Sequence, residues 1–286
     1  SSSPISGVFV GVGQYGKAVR SIDNGTSWDN ETCQILTDLN GVTSGNNTFV
    51  AVGESGKILR STDNGSSFST VARYNSNDSR GVTFGNNTFV GISREGKTGR
   101  STDNGSSFSV VSSTDLKHLY GATFGNNTFV AGGQSGRIVR STDNGSSWNN
   151  APSGNSEYFR GITFGNNTFV GVAHSGKIVR STDNGSSWDN ATNTSSSNLY
   201  GVTFGNNTFV GVGYRGLIVR STDNGSSFSV VDRVDSSHLY GVTFGNSTFV
   251  AVGDSGKIVR STDNGSTFSE VTSPIETHLY GVTFSE

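Results

Sequence analysis

The 286-residue chain contains no methionine, one cysteine and three prolines. The single thiol, Cys33, excludes an intramolecular disulfide framework and any metal site built from several cysteines. Because neither an initiator methionine nor a signal peptide is visible, we expect a mature product or an excised domain.

Charge and long apolar runs are also scarce. Charged residues make up 15% of the chain and its formal net charge is −2, which gives no basic surface for nucleic acid. No apolar run approaches the roughly 18 residues of a membrane helix. The sequence therefore predicts neither nucleic-acid binding nor membrane insertion.

Turn-forming residues replace the missing apolar ones. Apolar residues reach only 31%, whereas glycine alone accounts for 40 residues. Glycine, serine, threonine and asparagine favour turns over helices. An aromatic content of 10%, including 18 phenylalanines, argues against a disordered chain. The composition predicts a soluble, all-β protein.

A 40-residue unit is repeated without insertions. Copies begin near residues 1, 41, 81, 121, 161, 201 and 241, and residues 281–286 restart the unit with GVTF. Turn signals, including the strong hairpin signal Asn-Gly, divide each copy into four short strands. In one copy these strands are Tyr200–Phe204, Thr208–Val212, Leu217–Ser221 and Ser227–Val231.

Four strands in about 40 residues is the period of a β-propeller. Seven copies predict one domain, residues 1–286, that is an all-β, seven-bladed β-propeller with four-stranded antiparallel blades. The first copy lacks its first strand, so the C-terminal strand at 281–286 is expected to complete the first blade and close the ring. A β-solenoid of the same period is the alternative, but it would not need complementary ends.

Every copy carries Ser-x-Asp-x-Gly-x-x-(Trp or Phe) between its third and fourth strands. The aspartate can accept hydrogen bonds from the turn, the glycine supplies a positive φ, and the aromatic residue folds over the hairpin. We predict a structural role for the seven aspartates, Asp23, Asp63, Asp103, Asp143, Asp183, Asp223 and Asp263.

This motif resembles the Asp-box (BNR) repeat of sialidases, sortilin-type receptors and photosystem II assembly-factor propellers. The phrase VG-x-x-G-x-IVRSTDNG-x-SW is most similar to the last group and its bacterial relatives. The resemblance covers essentially the whole chain, and it implies that the box is structural and lies opposite the ligand face. Families with this box have unrelated activities, so the resemblance predicts fold better than function.

A sialidase would require six blades, an arginine triad, a Tyr–Glu nucleophile pair and an acid aspartate. This chain has seven copies, and half of its arginines occupy one repeat position: Arg20, Arg60, Arg100, Arg140, Arg180, Arg220 and Arg260. We expect these arginines to bind carboxylates or carbonyls of the next blade. Alternatively, they could form a ring that binds an anion. We predict no enzymatic activity, no cofactor and no metal site.

The copies differ in two stretches: the turn between the second and third strands, and the connection from the fourth strand to the next copy. Because strands alternate in direction, both stretches should emerge on one face, the top face, and recognition usually occurs on such loops. We place all eight tyrosines there, including Tyr74 and Tyr158. The candidate ligand-binding residues are Tyr15, Glu54, Arg80, Arg94, His118, Tyr120, Arg160, His174, Tyr200, Tyr214, His238, Tyr240, Asp254, His278 and Tyr280.

The third copy departs most from the others. Ile92-Ser93 replaces Val-Gly, and Thr98-Gly99 replaces an apolar pair. In the second copy, Ser44 replaces phenylalanine. We expect these changes to cost packing and local stability.

These features predict a monomeric, non-enzymatic binding or scaffold propeller that recognises a protein partner, with a secreted or extracytoplasmic location favoured. A lectin with several top-face sites is the first alternative, but residues that differ between blades favour one asymmetric surface over repeated sugar sites. A glycosidase ranks third because no close carboxylate pair is apparent. A recently amplified or designed scaffold without a ligand, and loops that vary by drift alone, also remain open.

Overall fold

A computed structural model describes residues 7–33, 35–111 and 117–286. The degenerate start of the first copy, residues 1–6, lies outside this range. The chain forms a seven-bladed β-propeller in which each blade has four antiparallel strands, A to D from the channel outward. The predicted fold is confirmed. No helix in the described ranges is long and apolar enough to cross a membrane.

The strands follow the repeat. Strand A spans Leu279–Ser285 in blade 1 and Leu39–Gly45, Ser79–Gly85, Leu119–Gly125, Phe159–Gly165, Leu199–Gly205 and Leu239–Gly245 in blades 2 to 7. Strand B spans, from blade 1 to blade 7, Val8–Gly13, Thr48–Gly53, Thr88–Ser93, Thr128–Gly133, Thr168–Ala173, Thr208–Gly213 and Thr248–Gly253. Strand C spans Ala18–Ser21, Ile58–Ser61, Thr98–Ser101, Ile138–Ser141, Ile178–Ser181, Leu217–Ser221 and Ile258–Ser261.

The outermost strand varies in length between blades. Strand D spans Asp29–Cys33, Ser67–Val71, Ser109–Val111, Asn149–Asn150, Asp189–Asn190, Ser227–Arg233 and Ser269–Val271. Two parallel pairings were not predicted from the sequence: Thr32–Cys33, at the end of strand D in blade 1, pairs with Ser67–Phe68, and Thr192–Asn193, in a D–A connection, pairs with Ser227–Phe228. Each joins one blade to the outer edge of the next. A 3₁₀ turn links B to C in every blade, at Gln14–Gly16, Glu54–Gly56, Arg94–Gly96, Gln134–Gly136, His174–Gly176, Tyr214–Gly216 and Asp254–Gly256.

The two ends of the chain close the ring, as predicted. Strand Leu279–Ser285 pairs antiparallel with Val8–Gly13, with Phe284 opposite Phe9 and Thr283 opposite Val10. The closing strand then packs against strand A of blade 2. The C-terminal strand thus supplies the innermost strand of blade 1.

Strand B is buried on both faces, as its apolar sequence predicts. Val170 and Val172 of blade 5 pack with Leu199, Val202 and Phe209 of blade 6 in one cluster, and comparable clusters lie between the other blades. The core is thus divided into seven layers between blades, which explains how a chain with few apolar residues folds.

The repeated arginine on strand C links adjacent blades. Arg20 Nε of blade 1 donates to the main-chain oxygen of Asn64 in blade 2 at 2.8 Å. Four further interfaces show the same bond, at 2.7–2.9 Å, from Arg60, Arg100, Arg220 and Arg260. These five arginines bind the next blade through carbonyls, as the first of the two sequence-based interpretations predicts.

Each repeated aspartate organises its C–D hairpin. Oδ1 of Asp103 accepts hydrogen bonds from the Ser101 hydroxyl at 2.7 Å and the Ser107 N–H at 3.0 Å, and Oδ2 accepts from the Ser107 hydroxyl at 2.5 Å. The Ser107 hydroxyl is the largest cause that lowers the pKa of Asp103, to about 2. The carboxylate is therefore ionised at neutral pH and its oxygens are occupied within the turn.

Two predictions that concern the interface between blades 2 and 3 are wrong. Tyr74 does not lie on the top face: it is buried, 7% exposed, between blades 2 and 3. A Cβ on Gly99 would lie 2.4 Å from the Tyr74 ring, so the small residue makes room for the tyrosine. The Tyr74 hydroxyl and the Ser79 hydroxyl lie 3.2 Å apart, within hydrogen-bond distance. The substitutions in blade 3 therefore exchange one packing arrangement for another, and the predicted loss of packing at Gly99 is wrong.

A phenylalanine–glycine contact joins the inner strands of adjacent blades. The Phe244 ring of blade 7 lies over Gly205 of blade 6, where a Cβ would approach the ring to 2.0 Å. The seam between blades 1 and 2 lacks both partners, because serine stands at the equivalent positions, Ser285 and Ser44. The Ser44 hydroxyl donates to the main-chain oxygen of Phe284 at 2.7 Å. Ser44 therefore replaces a ring contact with a hydrogen bond.

Candidate binding site

Hydrogen bonds define the two faces of the propeller. The N–H of Tyr15, in a B–C turn, donates to Oδ1 of Asp38, in a D–A loop, at 2.9 Å. On the other face, the amide of Asn166, in an A–B turn, donates to Oδ1 of Asn224, in a C–D hairpin, at 3.2 Å. The variable stretches therefore share the top face, and the nearly constant turns share the bottom face.

A cavity of about 420 Å³ opens at the centre of the top face. Each blade contributes the residue that stands one position before the repeated glycine of strand A, and these seven residues are Asn40, Arg80, Tyr120, Arg160, Tyr200, Tyr240 and Tyr280. Asp38, Glu54 and His238 complete the lining. Equivalent positions in a symmetric scaffold thus carry different chemistry, and the cavity is asymmetric.

Aromatic side chains form one side of this cavity. The ring centroids of Tyr200 and Tyr240 lie 5.7 Å apart, and those of Tyr240 and Tyr280 lie 5.5 Å apart. Tyr120, which also lines the cavity, lies 6.4 Å between centroids from Tyr158, which does not. Tyrosines in such a row present apolar ring surface together with hydroxyls, and they need little ordering when a ligand binds.

Charged side chains from blades 2 and 3 form the opposite side. Asp78 binds two arginines, with Oδ2 at 3.3 Å from Arg80 and 3.4 Å from Arg94. Burial is the main cause that lowers the pKa of Arg80, and the nearby charge of Arg94 adds to it. The Arg80 guanidinium is thus partly desolvated at the wall of the cavity, where Glu54 also lies.

Arg160 stands on the aromatic side. Its guanidinium carbon lies 4.5 Å from the centroid of the Tyr120 ring, a cation–π contact. Its Nε donates to Nε2 of His174 at 3.1 Å. Burial, followed by the charge of Arg160, lowers the pKa of His174, which keeps the imidazole neutral and able to accept this bond.

Asp254 organises a group of polar residues on blade 7. Its Oδ1 accepts a hydrogen bond from the Tyr240 hydroxyl at 2.7 Å, and its Oδ2 accepts from the N–H of His238 at 2.8 Å. Nδ1 of His278 lies 3.3 Å from Oδ1. Burial, followed by the bond to Asp254, raises the pKa of Tyr240 well above its usual range. The hydroxyl is therefore protonated at neutral pH and unsuited to act as a nucleophile.

A second set of hydrogen bonds fixes the B–C turns. In each turn one non-glycine residue has a positive φ, between 51° and 60°. In six of the seven turns a side chain from the next D–A loop accepts the N–H of this residue: Asp38, Asp78 and Asn198 through Oδ1, and His118, His238 and His278 through Nδ1. These three histidines thus have a defined role in holding loops in place.

The structure brings eight of the fifteen predicted ligand-binding residues to the cavity wall: Glu54, Arg80, Tyr120, Arg160, Tyr200, His238, Tyr240 and Tyr280. The other seven surround or support it on the top face: Tyr15, Arg94, His118, His174, Tyr214, Asp254 and His278. Sequence comparison between copies missed Asp38 and Asn40. Asp38 occupies the same repeat position as His238, and Asn40 the same position as Tyr240, so these shared positions could have identified both residues.

A larger groove, of about 620 Å³, lies at the outer edge between blades 7 and 1. Its wall includes Thr26, Ser27 and Asp263 of the bottom-face hairpins, together with Thr272, Ser273 and Pro274 of a D–A connection. The hairpin positions are nearly constant among the copies, and the Asp263 carboxylate is occupied by the turn. The top-face cavity is therefore the better candidate for specific recognition.

No protein-family model and no curated protein matches the chain. Solved structures do resemble it. YCF48 bound to a D1 peptide gives a TM-score of 0.71 at 19% identity, covering 91% of this chain and 87% of that one. YCF48 from Cyanidioschyzon merolae gives 0.66 at 18% identity, with coverage of 85% and 88%. The computationally designed protein Ika8 gives 0.68 at 12% identity, with coverage of 97% and 90%. At these identities the likeness shows the shared propeller fold.

Proposed function

We propose that the chain is a non-enzymatic binding propeller that recognises a segment of a protein partner in the top-face cavity. The observation that carries this proposal is the asymmetry of the cavity: the seven equivalent positions hold one asparagine, two arginines and four tyrosines. A tyrosine row facing a charged side offers apolar contact, hydrogen bonds and charge pairing to a single extended segment.

Further support comes from the rigidity of the site. Side chains of the D–A loops hold the B–C turns, as in the bond from Ser175 N–H to Asn198 at 2.9 Å. A preformed site loses less conformational entropy on binding. The similar fold of YCF48, solved with a D1 peptide, is consistent with peptide binding by a propeller of this type. We further propose that the C–D hairpins are Asp-boxes, on the hydrogen-bond pattern of Asp103.

Enzymatic function is disfavoured by the same contacts. The Tyr240–Asp254 pair holds the phenol protonated, and Asp78 is bound by two arginines. Neither group is poised for nucleophilic attack at neutral pH. A lectin is the second candidate function, because tyrosine rings and amides also suit sugars.

Binding of the fluorescently labelled protein to a peptide array and to a glycan array tests this proposal. We expect signals on peptides, and we expect them to be lost when Tyr120, Tyr240 and Tyr280 are replaced together by alanine. Signals on glycans alone would select the lectin. Peptide binding that survives the triple substitution would exclude the cavity.

A further inference from the structure

The C–D hairpins contain seven Asn-Gly pairs, the sequence in which asparagine loses its amide most readily. Six of these asparagines are restrained by the preceding blade. In blade 3, Asn104 Nδ2 donates to the Thr48 hydroxyl at 2.7 Å. Asn24, Asn144, Asn184, Asn224 and Asn264 make the same bond to the corresponding threonines at 2.7–2.8 Å.

Asn64 is the exception. The residue that corresponds to Thr48 in blade 1 is Val8, which has no hydroxyl. Asn64 is also the one exposed asparagine among the seven, while the other six are half-buried. The remaining geometry is shared: in all seven hairpins the glycine N–H donates to a serine hydroxyl at 2.9–3.0 Å. Within the described residues, the side-chain amide of Asn64 has no hydrogen-bond partner, and this distinguishes it in an otherwise constant hairpin.

We propose that Asn64 is a modification site, at which the chain undergoes spontaneous deamidation faster than at its other hairpins. The main-chain nitrogen of Gly65 loses its proton and forms a bond to Cγ of Asn64. The Cγ–Nδ2 bond breaks, and the amide leaves as ammonia. Water then opens the cyclic imide at either carbonyl and leaves aspartate or isoaspartate. The Thr48-type bond opposes this reaction because it restrains the side-chain amide, and the bond must break before the amide can leave.

The eighth Asn-Gly pair, Asn40-Gly41, lies inside strand A. Its amide donates to the main-chain oxygen of Ser79 at 2.9 Å, so it is restrained like the other six. Modification at Asn64 would act on the interface between blades 1 and 2. The Asn64 carbonyl accepts the bond from Arg20 of blade 1 at 2.8 Å. Isoaspartate would route the main chain through Cβ and Cγ and convert this carbonyl into a free carboxylate.

Peptide mapping of the intact protein tests the proposal, after incubation at pH 8 and 37 °C. The tryptic peptides that carry the seven hairpins differ in sequence, so mass spectrometry follows each site in one sample and the other six serve as internal controls. A restraining hydrogen bond of about 1 kcal/mol corresponds to about a fivefold change in rate. We expect Asn64 to react about fivefold faster than the other six.

Two substitutions make the test specific. Val8→Thr adds the missing hydroxyl and should slow Asn64 to the rate of the other hairpins, whereas Thr208→Val should accelerate Asn264 to the rate of Asn64. Circular dichroism before incubation verifies that both variants are folded. Equal rates at all seven sites in the native chain, or rates that respond to neither substitution, would overturn the proposal.

Discussion

The contact between Gly205 and Phe244 provides a quantitative test of how adjacent blades fit together. A side chain at position 205 would place Cβ 2.0 Å from Cγ of the Phe244 ring. Gly205→Ser therefore forces the ring or the strand to move, and overpacking of this kind costs about 1–3 kcal/mol. The seam between blades 1 and 2 shows how the fold accommodates serine at this position, since Ser285 faces Ser44 there and not a phenylalanine.

A double-mutant cycle isolates the contact. Phe244→Ser removes a ring that packs 4.6 Å from Phe249, measured between centroids, and should cost about 2–4 kcal/mol because the ring is only half-buried. In the double variant, Gly205→Ser no longer meets a ring. We therefore expect it to be at least about 1 kcal/mol more stable than the sum of the two single changes predicts.

Urea titration followed by tryptophan fluorescence measures the free energy of unfolding of each variant. Ser285→Gly is the matched control, because Ser44 leaves space for a side chain there; its cost should stay below about 1 kcal/mol, the entropic penalty of glycine. Additivity of Gly205→Ser and Phe244→Ser within about 0.5 kcal/mol would refute the proposed fit between blades.

Three further predictions follow from single contacts. Replacing Tyr74 with alanine should destabilise the protein by about 3 kcal/mol in urea titration, and adding Gly99→Val should recover part of this loss, whereas no recovery would contradict the exchange of packing. At Asp103 the folded-state pKa of about 2 lies below the unfolded-state pKa of aspartate, about 3.9. The stability that this carboxylate contributes above about pH 4 should therefore be lost as the pH falls through about 2. A free energy of unfolding that stays constant over this range would contradict the hairpin assignment. Asp254→Asn should lower the pKa of Tyr240, because it removes a charge that opposes ionisation. Ultraviolet titration of the tyrosines measures this pKa, and an unchanged value would contradict the 2.7 Å bond between the two side chains.

Repeated residues explain why the fold could be predicted from one sequence. The Asn-Gly hairpin and the apolar strand B each occur once in every copy, seven times in all, so the local signals support one another. The closing strand was predictable because the first copy lacks what residues 281–286 supply. The two parallel pairings, by contrast, involve Thr32–Cys33 and Thr192–Asn193, which carry no pattern that distinguishes a strand from a loop.

The site was only partly predictable because its geometry depends on side-chain directions in irregular loops. Comparison of the copies placed Arg80 and Tyr240 on the top face, but it could not separate them from Tyr74, which turns into the space that Gly99 leaves between blades. The roles of His118, His238 and His278 in holding the B–C turns could not be predicted either, because the N–H group that each of them binds belongs to the preceding blade. Such contacts join residues 23 positions apart, as between Ser255 and His278.

Calorimetric titration of the protein with the strongest peptide from the array tests the central claim that the top-face cavity is the recognition site. Tyr200→Ala removes a ring from the cavity wall, and Thr222→Ala alters an exposed residue of a bottom-face hairpin. We predict that Tyr200→Ala weakens binding by about tenfold or more, as expected for an anchoring tyrosine, and that Thr222→Ala leaves it unchanged. Equal affinities for the native protein and Tyr200→Ala, with a loss at Thr222→Ala, would contradict the claim.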